Sequence, residues 1–181
     1  KNYKLFFKDK KKLDLTNQKS VLSYFKKHKF NQVYLAAAKV GGIKANNEEC
    51  FDFFATNTII QTNIMKLSKE LEVDNLVLIN SNCSYPINIQ QPYKESSFLE
   101  GQPHEGNLGY ATAKRSGYIG GLVLQKQYKI KTFHPIPCSL YGPNDNYNLE
   151  NSHFIAAAIR KIVDARNTNK PFLNFWGTGR P

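Results

Sequence analysis

The chain has 181 residues and carries 25 Lys and Arg against 14 Asp and Glu, a net charge of +11. It is 41% hydrophobic and 13% aromatic, a composition that excludes a disordered chain and indicates a folded domain. No apolar run approaches the roughly 20 residues that a membrane-spanning helix needs, so the sequence predicts no transmembrane segment.

The cysteines and histidines predict neither a disulfide framework nor a metal site. Cys50, Cys83 and Cys138 contain no C-x-x-C pair, which favours reduced thiols and a cytoplasmic location. The four histidines lack metal-ligand spacing, so we predict no metal. The excess positive charge suits an anionic partner, or is simply a lysine-rich surface. The densest basic run, Lys8–Lys12, is short and has no interleaved aromatic residues, so no nucleic-acid partner is expected.

Apolar runs and helical spacing alternate along the chain, and the pattern predicts strands and helices in turn. The predicted elements, in chain order, are a strand at Tyr3–Phe7, a helix at Ser20–Lys29, a strand at Gln32–Ala38, a loop at 39–47, a helix at Glu48–Glu72, a strand at Asn75–Ser81, a loop at 82–106, a helix at Leu108–Tyr128, a strand at Ile130–Pro137, a helix at Ser152–Ala165 and a short strand at Pro171–Trp176. Strands separated by helices predict an α/β fold, a doubly wound, Rossmann-like parallel sheet covered on both faces.

One expected part of such a fold is missing from the sequence. A glycine-rich turn normally joins the first strand to the first helix, but Gly177–Gly179 has no helix after it. The glycines at 106–109 and 117–121 lie at the entry of a predicted helix or inside it, and we interpret them as a close packing surface. We therefore expect the first strand, glycine-rich turn and first helix to lie upstream of Lys1, and both ends to be cuts. The predicted domains are a partial cofactor-binding domain at 1–140 and the start of a smaller substrate domain at 141–181.

The segment GYATAK places Tyr110 and Lys114 four residues apart, on one face of a helix. An ammonium near a phenol favours the phenolate, and such a pair can exchange a proton with a carbonyl. The spacing alone is also typical of a surface pair. Here, however, it follows a long loop and a strand that ends in Ser81, whose hydroxyl can donate a hydrogen bond to the same carbonyl.

The sequence NSNCSYP adds a thiol at this strand end. If the extended backbone continues past Ser81, the period of two places Cys83 on the same face as Ser81. The alternative is that Cys83 is a small buried apolar residue.

Together, the serine, tyrosine and lysine resemble the catalytic triad of the short-chain dehydrogenase/reductase superfamily. More specifically, VYLAAAKVGGIKANN, NSNCSYP, YATAK, SLYGPNDNYNLENSH and FWGTG resemble the GDP-L-fucose synthase family over almost the whole chain. The resemblance implies an NADPH-dependent epimerase–reductase that acts on GDP-4-keto-6-deoxy-D-mannose, usually as a homodimer.

The resemblance also implies roles for individual residues. Ser81, Tyr110 and Lys114 match the reductase triad, while Cys83 matches the base and His153 the acid of 3,5-epimerisation. The implied cofactor contacts are Lys10, Asp14, Leu15, Ala37, Ile79, Asn80, Ser81, Asn82, Lys114, Pro137, Cys138, Ser139, Leu140 and His153. The implied substrate contacts are Lys161 and Trp176.

Lys10 favours NADP over NAD because a basic residue can bind the 2′-phosphate, whereas the acidic Asp9 favours NAD. The chain also departs from the family pattern at Asn82, usually a second serine, and at Cys138–Ser139, usually Thr-Asn.

Other functions stay open from the sequence. One is another extended reductase or epimerase that acts on a different nucleotide sugar; the Cys83/His153 pair argues against it. Another is a non-catalytic homologue, but Tyr110 and Lys114 are both present. A nucleic-acid binder would show steeply salt-dependent binding. We expect the chain to be inactive as a fragment.

Overall fold

The computed structural model describes residues 3–150 and 152–175. The helices and strands, in chain order, are α1 (Gln18–Lys27), β1 (Gln32–Leu35), α2 (Ile43–Glu48), α3 (Cys50–Glu70), β2 (Asn75–Leu78), α4 (Leu108–Tyr128), β3 (Lys131–Phe133) and α5 (Phe154–Asn167). Three short 3-10 helices occupy the long segment between β2 and α4, at Asn82–Ser84, Glu95–Leu99 and Glu105–Asn107.

The three strands form one parallel sheet in the order β1-β2-β3. Leu76 in the central strand pairs with Val33 on one side and Thr132 on the other. Helical connections separate the strands in sequence, which is what parallel neighbours require. The predicted Rossmann-like α/β class is confirmed, and all three strands point their carboxyl ends to the same edge.

The core lies between this sheet and the helices α1, α3 and α4. The buried residues of α3 include Ile60, Ile64 and Leu67, an apolar stripe at helical spacing that packs toward β1 and β2. Leu76 of the sheet is completely buried in the same cluster. Burying one such side chain contributes about 1.5–3 kcal/mol, so this stripe holds α3 on the sheet.

Helices α3 and α4 approach closely because glycines line the contact. A Cβ atom on Gly109 would lie 2.1 Å from the Cys50 carbonyl oxygen, and one on Gly117 would lie 2.0 Å from Gln61 Oε1. The interpretation of these glycines as a packing surface is confirmed. The contact fixes the position of α4, which carries Tyr110 and Lys114.

Some predicted elements are wrong. The segment Tyr3–Phe7 is not a strand, nor are residues 171–175. An extended segment becomes a strand only when a neighbour accepts its hydrogen bonds, and within residues 3–150 and 152–175 neither segment has a paired neighbour. The predicted loop at 39–47 contains most of α2, and Trp176 lies outside the described residues.

The two faces of the sheet differ. Helices α3 and α4 contact the strands, and Leu76 and Leu78 are buried. Tyr34, Val77 and Phe133 pair across the three strands, and their exposed members, Tyr34 at 67% and Phe133 at 51%, show that this face is open. The expected cover on both faces is therefore not seen in the part of the chain that the structure describes. Within that part, no helix combines the length and apolar character needed to cross a membrane.

Candidate active site

The carboxyl end of β2 carries a tight polar turn. The Asn80 backbone N–H donates to the Pro135 carbonyl at 2.8 Å, so contact with the chain after β3 continues beyond the strands. Ser81 then caps the 3-10 helix Asn82–Ser84, because its hydroxyl oxygen accepts a hydrogen bond from the Cys83 N–H at 3.2 Å. The extended backbone stops at Ser81, so the period-of-two argument for Cys83 does not apply.

Tyr110 and Lys114 lie one turn apart on α4 and face this strand end. Lys114 is only 5% exposed, and its Nζ donates to the Ile79 carbonyl at 2.7 Å. The same ammonium lies 5.6 Å from the centroid of the Tyr110 ring. A buried ammonium needs such a partner, since an unpaired charge in a low-dielectric environment is costly.

Tyr110 has both Ser81 and Cys83 as neighbours. Burial raises the pKa of the Tyr110 phenol, a hydrogen bond with the Ser81 side chain lowers it, and the charge of Cys83 raises it. The net pKa shift is upward, which is opposite to the phenolate expected from the nearby ammonium, because burial dominates. Tyr110 is therefore a neutral phenol near pH 7 and is suited to donate a proton.

Lys114 is shifted in the other direction. Burial lowers its pKa from 10.5 to about 8, because removal from water disfavours the ammonium. Near pH 7 the side chain remains largely protonated, so it can supply positive charge and N–H donors next to the Tyr110 ring.

Asn82 lies between two thiols. Its Nδ2 atom is 3.5 Å from Cys138 Sγ, and its Oδ1 atom is 3.9 Å from Cys83 Sγ. Cys83 is half-buried and Cys138 is exposed, and both are free. The structure thus brings together the two positions, 82 and 138, at which the sequence departs from the family pattern.

Arg115 holds the loop that follows Cys83. Its Nε donates to the Ser84 carbonyl at 2.7 Å and its Nη1 to the Gly101 carbonyl at 2.8 Å. One guanidinium therefore joins both ends of the loop to α4. Sequence reasoning missed this residue, and its position directly after Lys114 in the Y-x-x-x-K helix was the available signal.

The helix α5 carries His153 and Lys161. His153 is exposed at the amino end of α5, where its carbonyl accepts from the Ala157 N–H at 2.9 Å. No hydrogen bond joins its ring to Ser81, Cys83 or Tyr110 across residues 3–150 and 152–175. The structure thus groups four of the five predicted catalytic residues by direct contacts, and within the described residues His153 forms no hydrogen bond with that group.

The predicted substrate contacts are only partly described. Lys161 Nζ donates to the Asn174 carbonyl at 3.1 Å and lies 5.4 Å from the centroid of the Phe175 ring. Trp176 lies outside the described residues.

The predicted cofactor residues lie in two regions. One is the turn around Asp14, whose carboxylate accepts from the Thr16 N–H at 2.9 Å and from its hydroxyl at 2.8 Å. These bonds lower the pKa of Asp14, and the charge of Lys10 adds to the effect. Leu15 packs against the core, and its carbonyl accepts from Asn63 Nδ2 at 2.8 Å.

The second region is the carboxyl edge of the sheet, formed by residues 36–38, 79–82 and 137–140. Ala37 after β1 and Leu140 after β3 are exposed, and Ser139 has a positive φ of 47°. Asn80 is buried, and its side chain accepts from the Ser81 N–H at 3.1 Å. Pro137 lies beside Cys138 in this edge.

Two buried amides of α3 also hold parts of the site, one the loop after β1 and the other helix α4, and sequence reasoning missed them. Asn57 accepts from the Lys39 N–H at 2.8 Å and donates to the Lys39 carbonyl at 3.0 Å. Gln61 donates to the Ala113 carbonyl of α4 at 2.9 Å. Both interrupt an otherwise apolar helical stripe, and this interruption was the available signal.

A parallel Rossmann-like sheet, a serine at a strand end and a tyrosine–lysine pair on the next helix define a short-chain dehydrogenase/reductase type of protein. The model of the NAD dependent epimerase/dehydratase family matches residues 3–181. The chain belongs to that family.

Individual relatives show a more specific similarity than the family match does. The chain is 37% identical to the GDP-L-fucose synthase of Escherichia coli strain K12 over 98% of its own length and 55% of the relative's. It is 35% identical to the GDP-L-colitose synthase of Yersinia pseudotuberculosis, over 99% of the chain and 58% of the relative. The crystal structure of a GDP-L-fucose synthetase from Naegleria fowleri bound to NADP superposes with a TM-score of 0.83 at 28% identity, over 90% of this chain and 50% of that one. The chain spans about half the length of these proteins.

Proposed function

We propose that the protein containing this chain converts GDP-4-keto-6-deoxy-D-mannose to GDP-L-fucose by 3,5-epimerisation and NADPH-dependent reduction at C4. The observation that carries the proposal is the group of Ser81, Cys83 and Tyr110, with Lys114 one helical turn away. The 37% identity to a GDP-L-fucose synthase supports the choice of substrate.

In the reduction, bound NADPH supplies the hydride that reaches C4. Tyr110, held as a neutral phenol by burial, donates its proton to the C4 oxygen. Ser81 donates a hydrogen bond to the same oxygen. The Lys114 ammonium, 5.6 Å from the ring centroid, then stabilises the phenolate electrostatically.

In the epimerisation, the C4 ketone acidifies the hydrogens on C3 and C5. The Cys83 thiolate removes each proton, and an acid on the opposite face of the sugar returns it with inversion. Ser81 and Tyr110 stabilise the enolate oxygen by hydrogen bonds. We assign the acid to His153, and the support for this assignment is the resemblance of the ENSH sequence.

The residues present suit both the nicotinamide end and the 2′-phosphate end of NADP. Lys114 Nζ uses one N–H for Ile79 and keeps donors for ribose hydroxyls. Ala37 presents only a methyl group at the exposed edge. Asp9 is 3.4 Å from Lys12 Nζ, which offsets its charge and leaves exposed Lys10 to favour a 2′-phosphate.

Three further points belong to the proposal. Residues 1–140 form part of the cofactor-binding domain, and residues 141–181 begin the substrate domain. The protein works as a homodimer, supported by the exposed Ile59, Ile119 and Val123 on α3 and α4. It acts in the cytoplasm, where its free cysteines remain reduced.

The deciding experiment uses the full-length protein, with GDP-4-keto-6-deoxy-D-mannose and NADPH in deuterated water. The wild type should oxidise NADPH and introduce deuterium at C3 and C5, while Cys83→Ser should lose the exchange. Cys50→Ser is the matched control, because Cys50 is a free thiol on α3 and not in the turn after β2.

A second candidate is a GDP-sugar C4 reductase without epimerisation, which the structural similarity to MlghC, a GDP-mannoheptose C4 reductase from Campylobacter jejuni, favours at 31% identity and a TM-score of 0.81. NADPH oxidation with no deuterium at C3 or C5 would support that function. A well-folded protein with no turnover would indicate another nucleotide sugar or a non-catalytic homologue.

A further inference from the structure

The thiols of Cys83 and Cys138 are separated by a single side-chain amide. Asn82 contacts Cys138 through Nδ2 at 3.5 Å and Cys83 through Oδ1 at 3.9 Å. Both cysteines are free, Cys138 is exposed and Cys83 is half-buried. A small reagent can therefore reach at least one of the two sulfur atoms.

The sheet places the two chain segments that carry these cysteines side by side. Asn75 pairs with Lys131 and Val77 with Phe133. The hydrogen bond from the Asn80 N–H to the Pro135 carbonyl continues this contact past the strands, up to Ser81, where the 3-10 helix Asn82–Ser84 begins. Cys83 lies in this turn, and the contact of Asn82 with Cys138 shows that the turn lies against the chain after β3.

We propose that Cys83 and Cys138 form a site of reversible oxidation that closes to an intrachain disulfide in the presence of a hydroperoxide. Closure requires the two side chains to rotate and the Asn82 amide to move aside.

The chemistry balances with the hydroperoxide as oxidant. The Cys83 thiolate attacks the O–O bond, which breaks as an S–O bond forms, giving a sulfenic acid and releasing water or an alcohol. The Cys138 sulfur then attacks the Cys83 sulfur, the S–S bond forms, and the hydroxyl group leaves as water with the Cys138 proton. Two thiols lose two electrons in total, and a dithiol such as dithiothreitol restores them.

The disulfide would remove Cys83 from proton transfer. That consequence rests on the proposed function, whereas the disulfide itself is tested by mass alone. Failure of one therefore does not imply failure of the other.

The test treats the full-length protein with hydrogen peroxide, blocks the remaining thiols and digests with trypsin. The expected product links the peptides Glu70–Lys94 and Thr132–Arg160, disappears with dithiothreitol and forms equally in Cys50→Ser. A mixture of 15N-labelled and unlabelled protein should give no mixed-label product, because the link is within one chain.

Two variants sharpen the result. Cys138→Ser should lose the linked peptide, and its Cys83 should proceed to the sulfinic acid, which dithiothreitol does not reverse. Asn82→Ala should form the link faster, since the intervening amide is gone. Sulfinic acid at Cys83 of the wild type without linked peptide, or a link with mixed label, would overturn the proposal.

Discussion

The ammonium of Lys114 is hydrogen-bonded to the Ile79 carbonyl at 2.7 Å. This bond joins the middle of α4 to the end of β2 and sets the separation between Tyr110 and Ser81. The same burial that makes the bond strong also lowers the pKa of Lys114 to about 8. The unfolding free energy should therefore depend on pH through this residue.

Replacing Lys114 should change how stability depends on pH. Between about pH 8 and pH 10.5 the unfolded chain holds the Lys114 proton and the native state releases it, so the unfolding free energy should rise with pH. Lys114→Met should lack this part of the rise. Urea denaturation at pH 7 and pH 10 measures the difference, with the exposed Lys126→Met as the control. Equal pH dependence in wild type and Lys114→Met would contradict the assignment.

Removing the phenol of Tyr110 should affect catalysis and spare the fold. Tyr110→Phe keeps the edge-on contact with Phe53, whose ring centroid is 6.4 Å away, but removes the proton donor. We expect NADPH oxidation by the full-length enzyme to fall by about 10²–10⁴-fold, with little change in thermal unfolding. Tyr118→Phe on the same helix should retain the rate. A Tyr110→Phe enzyme of nearly normal rate would show that another group supplies the proton.

A methyl group on Gly117 should disrupt the contact between α3 and α4. The added Cβ would lie 2.0 Å from Gln61 Oε1, so the Gln61 side chain must move and lose its hydrogen bond to Ala113. We expect Gly117→Ala to destabilise the protein by about 1–3 kcal/mol in urea denaturation, while Ser116→Ala on the exposed side should be close to neutral. The cost of Gly117→Ala should shrink in a Gln61→Ala background; an unchanged cost would place the strain elsewhere.

Removing the Asn57 amide should loosen the loop after β1. Asn57 is 1% exposed and hydrogen-bonds both the N–H and the carbonyl of Lys39. Asn57→Ala leaves these groups unsatisfied, and we expect a loss of about 1–3 kcal/mol with faster amide hydrogen exchange at Lys39. The next residue supplies the control, because Thr58 Oγ1 is buried without a hydrogen-bond partner among residues 3–150 and 152–175, and Thr58→Ala should cost little. Equal effects of the two variants would contradict this role for Asn57.

Sequence reasoning succeeded where the information is local. The bounds of α4 were predicted correctly, since an uninterrupted helical pattern runs to the left-handed residue Lys129. The Ser81, Tyr110 and Lys114 positions followed from a short motif. The turn at Cys83 did not, because the Ser81 hydroxyl caps a 3-10 helix there and ends the extended backbone.

Information that depends on distant partners was not available from the sequence. Tyr3–Phe7 has a strand-like composition, but pairing depends on a neighbour rather than on composition. The sign of the Tyr110 pKa shift depends on burial, which the Y-x-x-x-K spacing does not encode. Asn57 likewise forms its bonds with a loop that lies 18 residues away in sequence.

The hydrogen bonds of Arg115 determine which part of this site can change in sequence. Its guanidinium donates hydrogen bonds to the carbonyls of Ser84 and Gly101, so one side chain connects the two ends of the intervening loop. Insertions or replacements at the exposed positions of such a loop cost little free energy and leave its ends in place, whereas Phe98, 2% exposed, packs on Tyr85 and Tyr118. The exposed positions between Ile87 and Glu100 can therefore change in a lineage while Ser81 and Tyr110, on either side of the loop, keep their relative positions.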